Sequence, residues 1–215
     1  MHIAWIVGAI AGIVKLLIGF LALKVWRDSG VDPVKYLALG FLILGIGEFG
    51  CKFIGHGLLH TPMSAALGVP FKFVGNILVF YALLQLAESA HIKEAMIVTV
   101  IFGLIYMIGA FHALSITYKL HAINFQLPHI LFLTIIPWAI AGLIYKEYKK
   151  TGDRTALYFM AGLIVYGLSA AIGIPLHVIL HVLNFQDALA IETLIRLVGL
   201  LIIFRGLFVA EQAAT

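Results

Sequence analysis

Long apolar runs separated by short polar ones account for nearly the whole chain. They lie around residues 3 to 25, 34 to 60, 69 to 87, 94 to 115, 123 to 145, 156 to 181 and 190 to 210. About 20 mostly apolar residues are needed for a helix to cross the hydrocarbon core of a bilayer. The pattern predicts an all-α integral membrane protein: residues 1–215 form a single transmembrane domain of seven transmembrane helices. Two of the runs carry polar stripes. Glu48, Lys52, His56 and His60 follow one another at four-residue spacing in the second, as do Ser169, Gly173, His177 and His181 in the sixth. Four residues are roughly one α-helical turn, a rise of about 6 Å, so each set is expected on one face of its helix. Ionisable groups at membrane depth are costly and normally face a bundle interior, a cavity or a bound species, so the stripes mark a candidate site.

Composition agrees with this picture. Hydrophobic residues make up 63% of the chain and charged residues 11%, with a mean hydropathy of +1.10, whereas soluble domains carry roughly a quarter charged residues. The first run has Lys15 inside it and neither a basic leader nor a small-residue cleavage site, so it reads as a retained span rather than a signal peptide. Cys51 is the only cysteine, which excludes an internal disulfide and a thiolate metal cage. The net charge of +4 belongs to loop lysines and arginines and points to membrane topology, not to nucleic acid.

Those loop charges set an expected orientation. Lys24, Arg27 and Lys35 flank the first loop, Lys93 the third, and Lys146, Lys149, Lys150 and Arg154 fill the fifth, against Lys119 alone in the alternate loops. The positive-inside rule then places the C-terminus in the cytoplasm and the N-terminus outside, in a multi-pass protein of the cell membrane. His56, His60, His112, His121, His129, His177 and His181 all fall toward the outer face, and His91 lies inside. Histidines acting as neutral core filler would not segregate in this way, although common ancestry of the two halves would account for part of it.

The halves do resemble each other. Ser29-Gly30, Tyr36, Gly40 and Gly45 match Thr151-Gly152, Tyr158, Gly162 and Gly167; the His-x-x-x-His pairs follow in register to within one residue. Lys72-Phe-Val-Gly75 answers Arg196-Leu-Val-Gly199, with Phe80 and Phe204 trailing each. Spans one to three, in residues of about 1–90, are expected to repeat as spans five to seven, about 119–215, with span four, about 91–118, as linker. One linking span makes the two repeats parallel. This layout resembles that of the small sugar transporters called SWEETs and their PQ-loop relatives in topology; no Pro-Gln pair occurs in the chain, so their substrate does not transfer. The stretch from Tyr145 through Lys149-Lys150-Thr151-Gly152-Asp153-Arg154 into span six resembles small archaeal multi-pass membrane proteins without assigned function, over one repeat.

Four imidazoles on two repeat-related helices suggest ligation. Neutral imidazole is a common ligand of zinc, copper and iron. In one reading His56, His60, His177 and His181 bind a transition metal ion, with His112 or His129 as supporting groups. In the other, His56 and His177 ligate the iron of a b-type haem whose propionates are held by Lys72 and Arg196. Either cofactor would serve electron transfer or redox sensing, with a redox or signalling protein as partner, and a homo-oligomer is compatible with both. Against them stands plain packing, since intramembrane histidines also bond neighbouring helices. His121 and His129 taken singly read as interfacial or structural.

Glu48 with Lys52, and Glu192 with Arg196, are spaced to neutralise each other along a helix. The alternative is a proton- or cation-coupled transporter of a small solute or metal, in which Lys15 and Glu48 extend the histidine site toward the cytoplasm and Asn76 lines the same cavity. A third reading is a zinc-dependent intramembrane hydrolase. Glu48-x-x-x-Lys52-x-x-x-His56 with a later His-x-x-x-His resembles the seven-span superfamily of alkaline ceramidases and adiponectin receptors. That resemblance implies an activated water on zinc, but Lys52 replaces its serine, the late pair lies on span six, and span three lacks an aspartate. The sequence leaves open whether the protein is an enzyme.

Overall fold

The computed structural model describes residues 3–58, 63–117, 128–178 and 185–214; within these, the side chains of Lys52, His56, His112 and His177 are not described. The described residues are almost entirely helical. Their elements are α1 (Ile3–Ser29), α2 (Asp32–Ile46), a π-helical segment continuing it (Gly47–Leu58), α3 (Met63–Leu86), α4 (Ile92–Thr117), a short π-helical turn (Leu131–Ile135) running into α5 (Ile136–Thr151), α6 (Arg154–Val178) and α7 (Phe185–Ala214). Six helical stretches, Ile6–Ser29, Asp32–Cys51, Gly68–Leu86, Ile92–Phe111, Pro128–Thr151 and Arg154–Ile172, are long and apolar enough to cross a membrane. α7 is long enough but carries Glu192, Arg196 and Arg205 within its apolar run.

Glycine stops α1 and α5 in the same way. Gly30 and Gly152 adopt φ values of +71° and +69°, a left-handed conformation that costs a residue with a Cβ roughly 1–2 kcal/mol. Their N–H groups close the preceding helices on the carbonyls of Trp26 and Tyr148. The following helix therefore turns back against the first in each case. α1 packs on α2, and α5 on α6.

Close glycine contacts then fix the next pairs. A Cβ on Gly40 would lie 2.8 Å from the carbonyl oxygen of Gly75, and one on Gly162 2.7 Å from that of Gly199. Backbones meet directly at both crossings, which is how helices without a hydrophobic drive between them gain packing in lipid. The remaining contacts close the bundle: α1 touches α7, α3 touches α5, and α4 lies against α3 and the start of the fifth helix. α4 turns Ile97, Ile101, Leu104 and Ile108 outward, as a surface in contact with lipid requires.

The tight turns at residues 30–31, 87–91 and 152–153 lie at one end of the bundle, because successive helices are antiparallel. Lys24, Arg27, Lys35, Lys93, Lys149, Lys150 and Arg154 lie on the helix ends at or near these turns. Between that end and the middle, the interior is apolar, filled by Phe41, Phe80, Leu83, Phe159, Leu163 and Ile203. Beyond it the buried residues change character.

Candidate functional site

Buried charged residues from several helices meet in the middle of the bundle. Lys15 of α1 donates to the Glu48 carboxylate of the π-helical segment at 2.5 Å, both side chains almost fully enclosed. Packing of the local backbone explains the meeting: Gly12 lies against Phe49, and Gly45 against Leu16. Lys15 is thus held level with Glu48. Gly47 in turn lies against Phe71 of α3, which puts Glu48 level with Lys72.

The second group is centred on α7. Glu192 accepts a hydrogen bond from Arg196 one turn later and lies 2.9 Å from Nε2 of His129, at the start of the fifth helix. All three are buried. The Arg196 guanidinium lies over the ring of Tyr166 of α6, 5.6 Å from its centroid, within the range of a cation–π contact. The Tyr166 hydroxyl donates to Asn76 Oδ1 at 2.5 Å, and the Asn76 amide donates to the Lys72 carbonyl at 2.7 Å. Tyr106 of α4 stacks on Phe132 and packs against His129.

The two groups are linked through Asn76, which accepts from Tyr166 and donates to the carbonyl of Lys72, the residue level with Glu48. Charges brought this deep are tolerated because they pair, as the cost of an isolated ion in a low-dielectric interior is several kcal/mol. A carboxylate, an imidazole and a second carboxylate in one enclosed network can store and pass protons.

Several expectations are refined here. Glu192 and Arg196 do pair along their helix, whereas Glu48 bonds across to Lys15 on another helix. Glu48, Lys52 and His56 do not sit on an α-helical face, because Gly47–Leu58 is π-helical over 12 residues. Hydrogen bonds to the fifth residue widen the turn, so four-residue spacing, close to one such turn, still returns to nearly the same face. The one-residue offset between the halves has its place in this segment: eleven residues separate Gly45 from His56, and ten separate Gly167 from His177.

Arg196, expected to hold an anionic group of a cofactor, is already engaged by Glu192 and Tyr166. His129, read singly as interfacial or structural, is a buried partner of Glu192. His60, His121 and His181 lie outside the described residues, as do the side chains of Lys52, His56, His112 and His177. Among the described residues no three His, Cys, Asp or Glu side chains come together as a metal site. Tyr166 and Tyr106 were not foreseen; a lone tyrosine in an aliphatic span gives no sequence signal that it will join a charged centre. Compared with known proteins, the chain matches no protein-family model, no curated protein and no solved structure.

Proposed function

We propose that the protein is a proton-coupled carrier of a small solute, built as seven membrane spans in two parallel three-helix repeats joined by α4. The observation that carries this reading is the buried Lys15–Glu48 pair linked through Asn76 to the group of His129, Glu192 and Arg196. α7 counts as the seventh span because Glu192 and Arg196 neutralise each other inside the bundle. The repeat is supported by matched geometry: left-handed Gly30 and Gly152, the Gly40–Gly75 and Gly162–Gly199 crossings, and the reciprocal contacts of α1 with α7 and α3 with α5. The basic turn end faces the cytoplasm of a cell-membrane protein by the positive-inside rule. Alternating access would rock one repeat against the other around the charged centre.

The test uses purified protein in liposomes loaded with a pH-sensitive dye, with potassium and valinomycin holding the voltage fixed. An inward proton gradient is imposed in gluconate, then with added chloride, nitrate, glucose or alanine. Wild type is expected to acidify the lumen faster with at least one solute, and the Lys15→Met/Glu48→Gln double variant with none. Solute-independent traces that match protein-free liposomes would overturn the reading.

A second reading keeps the histidine site as a haem or transition-metal centre. It is favoured by one observation: the helical backbones carrying His56 and His177 end on the same side of the bundle as His129 and Glu192. The visible spectrum and metal content of the same preparation test it. A Soret band with iron, or stoichiometric zinc or copper, lost on His56→Ala, would support it; a colourless, metal-free protein would remove it.

A further inference from the structure

We propose that Arg196 and Ser169 hold a small monovalent anion in the middle of the bundle. Three observations converge on this site. First, Ser169 is fully buried on α6, yet its hydroxyl meets no hydrogen-bond partner among the described residues. A serine inside a helix ordinarily bonds the carbonyl four residues earlier, and this one does not. Its proton is available to an acceptor that the described residues do not supply.

Second, Arg196 has a buried Nε–H in the same condition, although the other side of its guanidinium is fixed by Glu192. The register of α6 on α7 brings the two donors level. Gly162 lies against Ile203 and Gly199, and Gly199 against the Tyr166 backbone. The helices are antiparallel, so the next turn of α6, which carries Ser169, stands opposite the turn of α7 that carries Arg196. Tyr166, one turn below Ser169, already receives the guanidinium on its ring.

Third, the chemistry of the two groups favours an anion. A guanidinium N–H and a serine hydroxyl both donate, and the guanidinium carries a full positive charge. Two donors at one level suit a halide, or the paired oxygens of nitrate or a carboxylate. A divalent anion costs more to bring out of water into an enclosed site.

As a binding site the inference stands by itself; as the identity of the cargo it rests on the carrier reading. Full-length protein in detergent is melted at constant ionic strength while gluconate is replaced by chloride, nitrate or formate, with sulfate as the divalent control. At least one monovalent anion is expected to raise the melting temperature saturably and sulfate is not. Ser169→Ala should weaken that binding about tenfold while leaving the melting temperature in gluconate unchanged or higher, since it removes an unpartnered hydroxyl. No shift with any of the three anions, an equal shift with sulfate, or an unaltered affinity in Ser169→Ala would each overturn the site. Saturable binding without anion-stimulated flux in liposomes would instead leave the site standing and sink the carrier.

Discussion

Lys15→Met is expected to destabilise the protein by about 3–5 kcal/mol, the usual cost of stripping one partner from a buried ion pair. Methionine keeps much of the length and apolar volume of the lysine stem, so packing loss contributes little. What remains is a Glu48 carboxylate in an enclosed site that has lost its 2.5 Å partner. It must stay ionised at a high desolvation cost or take up a proton. Reversible unfolding in mixed micelles measures the effect, and the Lys15→Met/Glu48→Gln double variant should recover most of it. A single variant within about 0.5 kcal/mol of wild type, the range of ordinary surface substitutions, would mean that the pair does not hold α1 to the π-helical segment. Recovery of stability without recovery of proton uptake would separate the structural role of Glu48 from the proton-coupling role proposed for it.

Arg196→Ala is expected to cost a similar amount, about 3–5 kcal/mol, for a different combination of reasons. It takes from Glu192 the partner it bonds along α7, and it strips a planar cation from the face of Tyr166. Arg196→Lys should fall between, because an ammonium keeps the charge but not the flat, forked geometry. A cycle of Arg196→Ala with Glu192→Gln, read in the same unfolding assay, should be strongly non-additive, since the two groups share one buried bond. Additivity within 0.5 kcal/mol, the usual margin for independent sites, would show that the contact carries no weight.

The helical bundle was legible because lipid solvation imposes a simple rule: an apolar run of sufficient length becomes a span. Lys15, Glu48, Asn76, Glu192 and Arg196 were legible as candidates for the same reason, being costly residues in apolar surroundings. The Glu192–Arg196 pair was legible from its spacing, but the partners on other helices were not. Spacing along one helix suggested Lys52 for Glu48; that Lys15 reaches Glu48 from another helix follows only from knowing that Gly12 and Gly45 let α1 approach so closely. The π-helical segment was equally hidden, because no local motif in Gly47–Leu58 marks its departure from α geometry. Tyr166 shows the limit most clearly. Its role depends on Asn76, 90 positions away in the chain, and on a guanidinium reaching it from another helix.

The apolar layer between the charged centre and the turn end has an electrical consequence. If the centre is polar enough to share the potential of the side it faces, the membrane voltage falls mainly across the slab formed by Phe41, Phe80, Leu83, Phe159, Leu163 and Ile203. In the proposed carrier, a proton or anion crossing that slab would do most of its electrical work there, about 2.3 kcal/mol per charge for each 100 mV. Turnover would be steeply voltage-dependent in that step and nearly indifferent to voltage in the loading of the centre. The slab of phenylalanines and leucines would act as the capacitor of the machine.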